Sequence, residues 1–276
     1  MGCAMVDIAP HTTSDGRFAF EQAGPADGTP LVFLHGIGGA ARAFRPQLQA
    51  FGSRYRAIAW DMPGYGGSAP LTDPSIATLA RALTDFLGAV AAPAPILVGH
   101  SIGGMIVQQA VAEAPRIASA IVLAQTSPAF GKADGDWQKS FLDARVGPLD
   151  RGETMASLAP GLVADLVGDD PDSAGLELAR DCMASVPEAT YRAMMHALLG
   201  FDLRAGLGRI AVPTLVLSGS KDTNAPAPMM AKMAGFIPNA RYVELPGVGH
   251  LAGLERPQAF NAALEEFLAT LPKRTP

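Results

Sequence analysis

A chain of 276 residues, 49% hydrophobic and 17% charged, has enough apolar side chains for one large core. Its formal net charge of −5, without a cluster of lysine or arginine, argues against a nucleic-acid partner. No apolar run approaches the ~20 residues of a membrane helix. The first residues also lack the basic start and the apolar run of a signal peptide, so we expect a cytoplasmic protein without a membrane partner. Cys3 and Cys182 lack metal-site spacing and are expected to be free thiols.

The first part of the chain alternates short strand signals with helical patterns. An alternating stretch at 17–22 predicts an edge strand or an early strand of the sheet. Continuous apolar runs, typical of strands buried on both faces of a sheet, predict further strands at 31–34, 55–60 and 95–98. Helical spacing of apolar residues predicts helices at 41–51 and 75–90.

The second part of the chain interrupts this alternation before returning to it. Strands are predicted at 120–124, 213–218 and 241–245, and a last helix at 257–271. Between them, four helical patterns occur without a buried strand, at 137–146, 153–167, 176–183 and 187–203. The prediction is an α/β fold with a mostly parallel sheet flanked by helices. Its core domain comprises 1–126 and 208–276, and a helical cap of 127–207 covers the carboxyl edge of the sheet, where ligands bind.

One motif combines a strand, a sharp turn and a helix, with a serine at the turn. The residues Gly99-His100-Ser101-Ile102-Gly103 follow an apolar run and open a helical pattern. Glycine two positions on either side of the serine lets the strand and the helix pass closely. This context predicts that Ser101 is a nucleophile rather than a helix cap.

A serine nucleophile needs a histidine base and a carboxylate that orients the histidine. His250 follows the last predicted strand and is the predicted base. Asp222 follows the preceding strand and is the predicted acid, although a helix N-cap is its alternative role. Asp61 lies in a turn of the form Asp-x-Pro-Gly-x-Gly-x-Ser, which predicts a structural role, and Gln125 leaves no carboxylate at the end of its strand.

The oxyanion formed during such a reaction needs two backbone N–H donors. One follows the nucleophile, at Ile102, and the other is expected at Ile37 in the glycine-rich loop 35–39. His35 is expected to brace this loop, and the side chain of His100 to point away from Ser101. An anionic substrate would require a cation from the cap. The predicted substrate contacts are His35, Gly36, His100, Arg145, Arg192, His196 and Leu251. The alternative is a solvent-exposed helix face for Arg145 and Arg192, and a half-buried helix position for His196.

These motifs together resemble the α/β-hydrolase family, from about Phe18 to Leu271. The resemblance implies an eight-stranded sheet with one antiparallel strand and no cofactor. No metal site is predicted either. Features of the second half, among them Tyr191 through Leu203 and His250-Leu251 through Pro257, are similar to those of 3-oxoadipate enol-lactonases. Gly161 to Asp170 departs from that subgroup, because it lacks the aromatic segment expected there.

The predicted function is a serine hydrolase of a small carboxylic ester or lactone that forms an acyl-enzyme. Two alternatives share the same three residues: a carbon–carbon bond hydrolase of aromatic meta-cleavage products and a cofactor-free perhydrolase. His100 and the Gly38-Gly39-Ala40 loop argue against the first, because such enzymes usually have Asn and a Gly-Pro-Gly loop there. A non-catalytic ligand receptor is a third alternative. The expected partner is a small-molecule substrate, and assembly into a homo-oligomer stays open.

Overall fold

The protein is described by a computed structural model that covers residues 6–131 and 136–272. Within these residues, eight strands form one sheet in the order β1-β2-β4-β3-β5-β6-β7-β8. β2 is antiparallel to both of its neighbours and the remaining pairs are parallel, which confirms the mostly parallel eight-stranded sheet. The strands are β1 (Ala9–Thr12), β2 (Ala19–Ala23), β3 (Pro30–Leu34), β4 (Arg56–Trp60), β5 (Ile96–His100), β6 (Ala120–Ala124), β7 (Thr214–Gly219) and β8 (Ala240–Leu245).

Helices cover both faces of this sheet. In the described part of the chain they are α1 (Arg45–Phe51), α2 (Ile76–Ala89), α3 (Ile102–Glu113), α4 (Asp136–Asp150), α5 (Met155–Ala164), α6 (Ser173–Ala184), α7 (Glu188–Ala197), α8 (Ala227–Phe236), α9 (Ala252–Glu255) and α10 (Pro257–Thr270). α2, α3 and α8 bury apolar side chains on one face, and α1 and α10 on the other. None of the helices described is both long and apolar enough to cross a bilayer.

The apolar runs of the sequence are the buried strands of the sheet. Every residue of β3, β6 and β7 is buried, as continuous hydrophobic runs predict for strands covered by helices on both sides. The ring of Trp60 at the end of β4 stacks on Phe86 of α2, with 5.0 Å between ring centroids. The buried strands thus form a rigid sheet, and the candidate site residues follow the ends of its strands.

Among the described residues, four α-helices, α4 to α7, lie between β6 and β7 in the sequence, and we call residues 127–207 the helical insertion. The helix predicted at 187–203 ends earlier, at Ala197, because Gly200 adopts a positive φ of 78° that terminates the helical path. The helix predicted at 41–51 begins with a 3₁₀ turn at Ala41–Phe44, and α1 follows with Pro46 in its first turn.

One strand and the two cysteines complete the comparison with the sequence. β1 was not predicted, because three of its four residues are exposed and the strand carries no hydrophobic period. Cys182 is a free, buried thiol in α6, whereas Cys3 lies outside the described residues, as does the N-terminal segment on which the signal-peptide prediction rests.

Candidate active site

Ser101 lies at the sharp turn between β5 and α3. Its backbone has φ 55° and ψ −121°, a strained conformation that an L-residue rarely adopts. A Cβ atom on Gly99 would lie 2.5 Å from the carbonyl oxygen of Gly103, and one on Gly103 would lie 2.5 Å from that of Leu34. Both glycines are therefore required for the close crossing that presents the Ser101 hydroxyl to the cavity.

The three residues predicted as a catalytic set come from the ends of three strands and meet at one edge of the sheet. Ser101 Oγ lies 3.0 Å from His250 Nε2, and His250 Nδ1 lies 2.8 Å from Asp222 Oδ2. Asp222 Oδ1 accepts hydrogen bonds from the backbone N–H groups of Asn224 (2.8 Å) and Ala225 (2.9 Å). Asp222 and His250 are buried, so this chain of hydrogen bonds is shielded from water.

The charge on Asp222 determines which nitrogen of His250 carries the proton. Burial alone raises the pKa of Asp222, but His250 and the two backbone donors outweigh it and hold the pKa below its ordinary value. An ionised carboxylate accepts the Nδ1–H of His250. Nε2 is then free to accept the proton of the Ser101 hydroxyl.

The glycine-rich loop after β3 lies directly against the serine. A Cβ atom on Gly36 would lie 3.2 Å from the Cβ atom of Ser101. Within the described residues, neither the Ile37 N–H nor the Ile102 N–H donates a hydrogen bond to another protein group. Two unused donors beside Ser101 are the requirement for an oxyanion hole.

His35 connects this loop to the turn after β4. Its Nε2 accepts a hydrogen bond from the backbone N–H of Met62 (3.1 Å), so its Nδ1–H is the donor to the carbonyl oxygen of Gly36 (2.8 Å). Burial lowers the pKa of His35 to about 4, and the ring is neutral at physiological pH.

Two residues not assigned to the site in the sequence complete this brace. The Tyr65 hydroxyl donates to the carbonyl oxygen of Ile37 (2.8 Å), and Asp61 accepts from the backbone N–H of Ala41 (2.7 Å). These two hydrogen bonds therefore connect the turn of residues 61–68 to the glycine-rich loop 35–39, which we call the oxyanion loop, and to Ala41 just after it. Its Asp-x-Pro-Gly-x-Gly-x-Ser pattern was the available signal, but the pattern does not reveal which loop the turn contacts.

The buried ring of His35 makes stability depend on pH. Between about pH 6.5 and pH 4 the unfolded chain binds a proton at this residue that the folded chain does not, so the unfolding free energy falls as the pH is lowered. The expected loss is up to about 3 kcal/mol, fully developed near pH 4. Urea denaturation should give a smaller decline for His35→Gln than for the unchanged protein, whereas His196→Gln, at an exposed position, should keep the decline. An equal decline of the unfolding free energy between pH 6.5 and pH 4 in all three proteins would contradict this assignment.

His100 links the serine turn to the backbone of the base. Its Nε2 lies 2.7 Å from the carbonyl oxygen of His250 and acts as the donor. Burial, followed by the proximity of His250, lowers the pKa of His100 to about 3. The ring thus holds two loops together instead of contacting the Ser101 hydroxyl.

A cavity of about 830 Å³ lies between the serine turn and the helical insertion, with mostly apolar walls. Ser101, His250 and Ile37 line it, as do five of the seven predicted substrate contacts: His35, Gly36, His100, Arg145 and Leu251. In the part of the chain that the structure describes, no group of three or more His, Cys, Asp or Glu side chains is placed to hold a metal ion.

The predicted substrate contacts at Arg192 and His196 do not line this cavity. Arg192 forms ion pairs with Asp150 (2.6 Å) and Glu188 (2.8 Å), and His196 is exposed. The reason is the orientation of α7, which turns Tyr191, Met195 and Leu198 toward the cavity. Residues one position further along the helix therefore lie on a different face.

Arg145 of α4 is the predicted cation that does reach the cavity. Its guanidinium carbon lies 3.9 Å from the centroid of the Phe141 ring, and its Nη2 donates to Asn224 Oδ1 at 3.3 Å. It forms no ion pair with a carboxylate of the described residues, and burial lowers its pKa. The charge of Asp165, which also lines the cavity, acts on Arg145 without a direct ion pair, so the half-buried guanidinium keeps donors available for an anion.

The chain matches the alpha/beta hydrolase family over residues 31–263. This match covers most of the chain, so the protein belongs to that family and is an enzyme of it.

Two relatives align along nearly their whole length. A protein of Variovorax paradoxus (strain S110), named as a carbamate hydrolase, RutD, is 33% identical over 266 residues, which are 91% of this chain and 95% of the relative. A pimeloyl-[acyl-carrier protein] methyl ester esterase of Xanthomonas campestris pv. campestris (strain B100) is 29% identical over 256 residues, covering 89% and 97%.

A solved structure shares the fold. The enol-lactonase from Burkholderia xenovorans LB400 superposes with a TM-score of 0.80 and 24% identity, over 95% of this chain and 100% of that one. At this identity the likeness concerns the fold alone.

Proposed function

We propose that this enzyme is a serine hydrolase that cleaves a small carboxylic ester or a lactone through an acyl-enzyme on Ser101. The observation that carries the proposal is the continuous chain of hydrogen bonds from Ser101 Oγ through His250 to Asp222, beside an apolar cavity. A serine hydroxyl becomes a nucleophile when a base within hydrogen-bond distance takes its proton. The methyl ester esterase among the relatives supports the same substrate class.

The first half of the reaction opens the ester or lactone bond. Ser101 Oγ attacks the carbonyl carbon while His250 Nε2 takes the hydroxyl proton, and the carbonyl oxygen becomes an oxyanion. When the oxyanion collapses, the bond to the leaving oxygen breaks, and that oxygen takes the proton from His250. The acyl group stays on Ser101.

Water completes the cycle. His250 removes a proton from a water molecule that attacks the acyl carbon, and then returns the proton to Ser101 Oγ as the acid leaves. The N–H groups of Ile37 and Ile102 stabilise the oxyanion in both halves, and each such donor contributes about 3 kcal/mol. Asp222 holds His250 in the required tautomer and stabilises its positive charge.

Arg145 is the basis for a proposed preference of the enzyme for anionic substrates. Its guanidinium is half-buried in the cavity wall and adjoins Asn224, two residues after Asp222. An ester or lactone with a carboxylate on the side facing α4 would receive a charge-assisted hydrogen bond there. The apolar remainder of the cavity suits the uncharged part of such a substrate.

Arg145→Gln is expected to raise KM for an anionic ester about 10- to 100-fold, because a hydrogen bond to a charged group contributes about 1.5 to 3 kcal/mol. KM for a neutral ester of the same length should change little. Steady-state kinetics with monomethyl and dimethyl esters of one dicarboxylic acid would measure the difference. Arg192→Gln is the matched control, because Arg192 lies outside the cavity. An equal effect of Arg145→Gln on both esters would contradict a role in binding the charge.

The class of ester is tested with a panel of p-nitrophenyl acetate, p-nitrophenyl octanoate and 3-oxoadipate enol-lactone. Rapid opening of the lactone that requires Ser101, with slow cleavage of the octanoate, would support a lactonase. Cleavage of esters alone would keep the mechanism and contradict the lactone assignment. No turnover dependent on Ser101 with any of them would contradict the proposed function itself.

A further inference from the structure

Glu255, at the end of α9, is a buried carboxylate bound to backbone groups on both sides of the histidine. The residue is 2% exposed. Its Oε2 accepts from the N–H of Gly249 (2.8 Å) and from that of Gly168 (2.7 Å), and its Oε1 accepts from the N–H of Leu251 (2.7 Å). It forms no ion pair with a cation of the described residues, so these backbone donors are what compensates its buried charge.

The donor at Gly168 belongs to a segment of the helical insertion, residues 166–169, that lies on the loop around His250. The N–H of His250 donates to the carbonyl oxygen of Leu166 (2.6 Å), and the N–H of Asp169 donates to that of Gly247 (2.7 Å). A Cβ atom on Gly168 would lie 2.2 Å from the carbonyl oxygen of Gly247. The two segments are thus in direct backbone contact.

We infer that Glu255 is a positioning residue for His250, and that it acts by fastening the loop 247–251 to segment 166–169 of the helical insertion. The inference rests on the proposed function, because it takes His250 as the base. The residues immediately before and after His250 each donate to the same carboxylate, while His250 itself donates to the insertion. The position of the His250 imidazole beside Ser101 therefore depends on the contact between segment 166–169 and the loop 247–251.

A neutral side chain of the same shape cannot replace this carboxylate. Three N–H groups point at its two oxygens, and an ionised carboxylate offers acceptors only. In Glu255→Gln, the amide nitrogen would face at least one of these N–H donors, and that donor would lose its partner. The loop would have to shift to relieve this contact, and His250 would shift with it.

Glu255→Gln is expected to lower kcat about 10- to 100-fold with KM nearly unchanged, since a small misplacement of a reacting group costs about this much in rate. Activity would be expressed per active site, titrated with a fluorophosphonate. The rate constant of Ser101 phosphonylation should fall in the same proportion, because that reaction also needs the base. Glu177→Gln is the control, since Glu177 is an exposed glutamate of α6.

A merely structural role would give a different result. Glu255→Gln would then lower the melting temperature and the yield of active sites, while kcat per active site and the phosphonylation rate constant would stay unchanged. That result would overturn the inference. If the unchanged enzyme showed no turnover dependent on Ser101, the proposed function would fail first, so the two failures are distinguishable.

A second variant approaches the same contact from the insertion. Gly168→Ala adds a methyl group against the Gly247 carbonyl and alters neither Glu255 nor the three site residues. It should also lower kcat per active site more than it raises KM. A folded Gly168→Ala enzyme with unchanged kcat would contradict the coupling between the insertion and His250.

Discussion

Ser101→Ala is expected to lower kcat for ester hydrolysis by at least about 10⁴-fold, because removal of the nucleophile of such a set leaves only the contribution of binding and the oxyanion hole. The substitution removes the oxygen that lies 3.0 Å from His250 Nε2 and leaves the strained turn in place. Alanine at this position retains the Cβ atom, so the folded state and KM should change little. Release of p-nitrophenol from p-nitrophenyl acetate measures the effect.

The control for this variant is Ser53→Ala, at an exposed position outside the site, which should retain full activity. Circular dichroism and the melting temperature would show whether the Ser101→Ala protein is folded. A folded Ser101→Ala enzyme that retained a tenth or more of the activity would contradict a covalent mechanism on Ser101. It would instead favour direct attack by water at a site that lacks a protein nucleophile.

Asp222→Asn is expected to lower kcat by about 10⁴-fold, because an amide in place of the carboxylate favours the wrong tautomer of the histidine. Asp222 Oδ2 lies 2.8 Å from His250 Nδ1, whereas Oδ1 is occupied by two backbone N–H donors. The asparagine would keep its oxygen toward these donors and turn its NH₂ toward Nδ1. Nδ1 would become the acceptor, and Nε2 would carry the proton that it must otherwise receive from Ser101.

The pH dependence of activity tests whether Asp222 stays ionised in the enzyme. The pKa of Asp222 lies below its ordinary value, so the carboxylate stays ionised throughout the range in which a histidine titrates. The acid limb of kcat/KM in the unchanged enzyme should therefore not reflect protonation of Asp222. Asp27→Asn, at an exposed position, is the control and should keep both the rate and the profile. An Asp222→Asn enzyme within tenfold of full activity would show that another group orients His250.

The sheet and the serine turn could be predicted because their signals are local. The strands β3, β6 and β7 are continuous apolar runs with every residue buried, and the glycines around Ser101 are required by contacts within a few residues and with the adjacent strand. The order of strand ends along the chain placed Asp222 and His250 on the same edge as Ser101. In the structure the three side chains are linked by hydrogen bonds of 2.8 and 3.0 Å.

The features that escaped prediction depend on packing between distant segments. The orientation of α7 places Tyr191 in the wall of the cavity and Arg192 and His196 outside it. Helical periodicity alone does not show which face of this helix lies against the cavity. Tyr65 holds the oxyanion loop across 28 positions of sequence. Glu255 and Gly168 meet across 87 positions, so no local pattern indicates their contact.

The most direct test of covalent catalysis by Ser101 is to identify the residue that becomes covalently modified. The protein would be incubated with a fluorophosphonate, and the adduct located by mass spectrometry of proteolytic peptides. A single adduct on Ser101, one per chain, is expected, and it should be absent from Ser101→Ala and slow to form in Asp222→Asn. An adduct on another residue, or full ester turnover by an enzyme that forms none, would contradict covalent catalysis by Ser101.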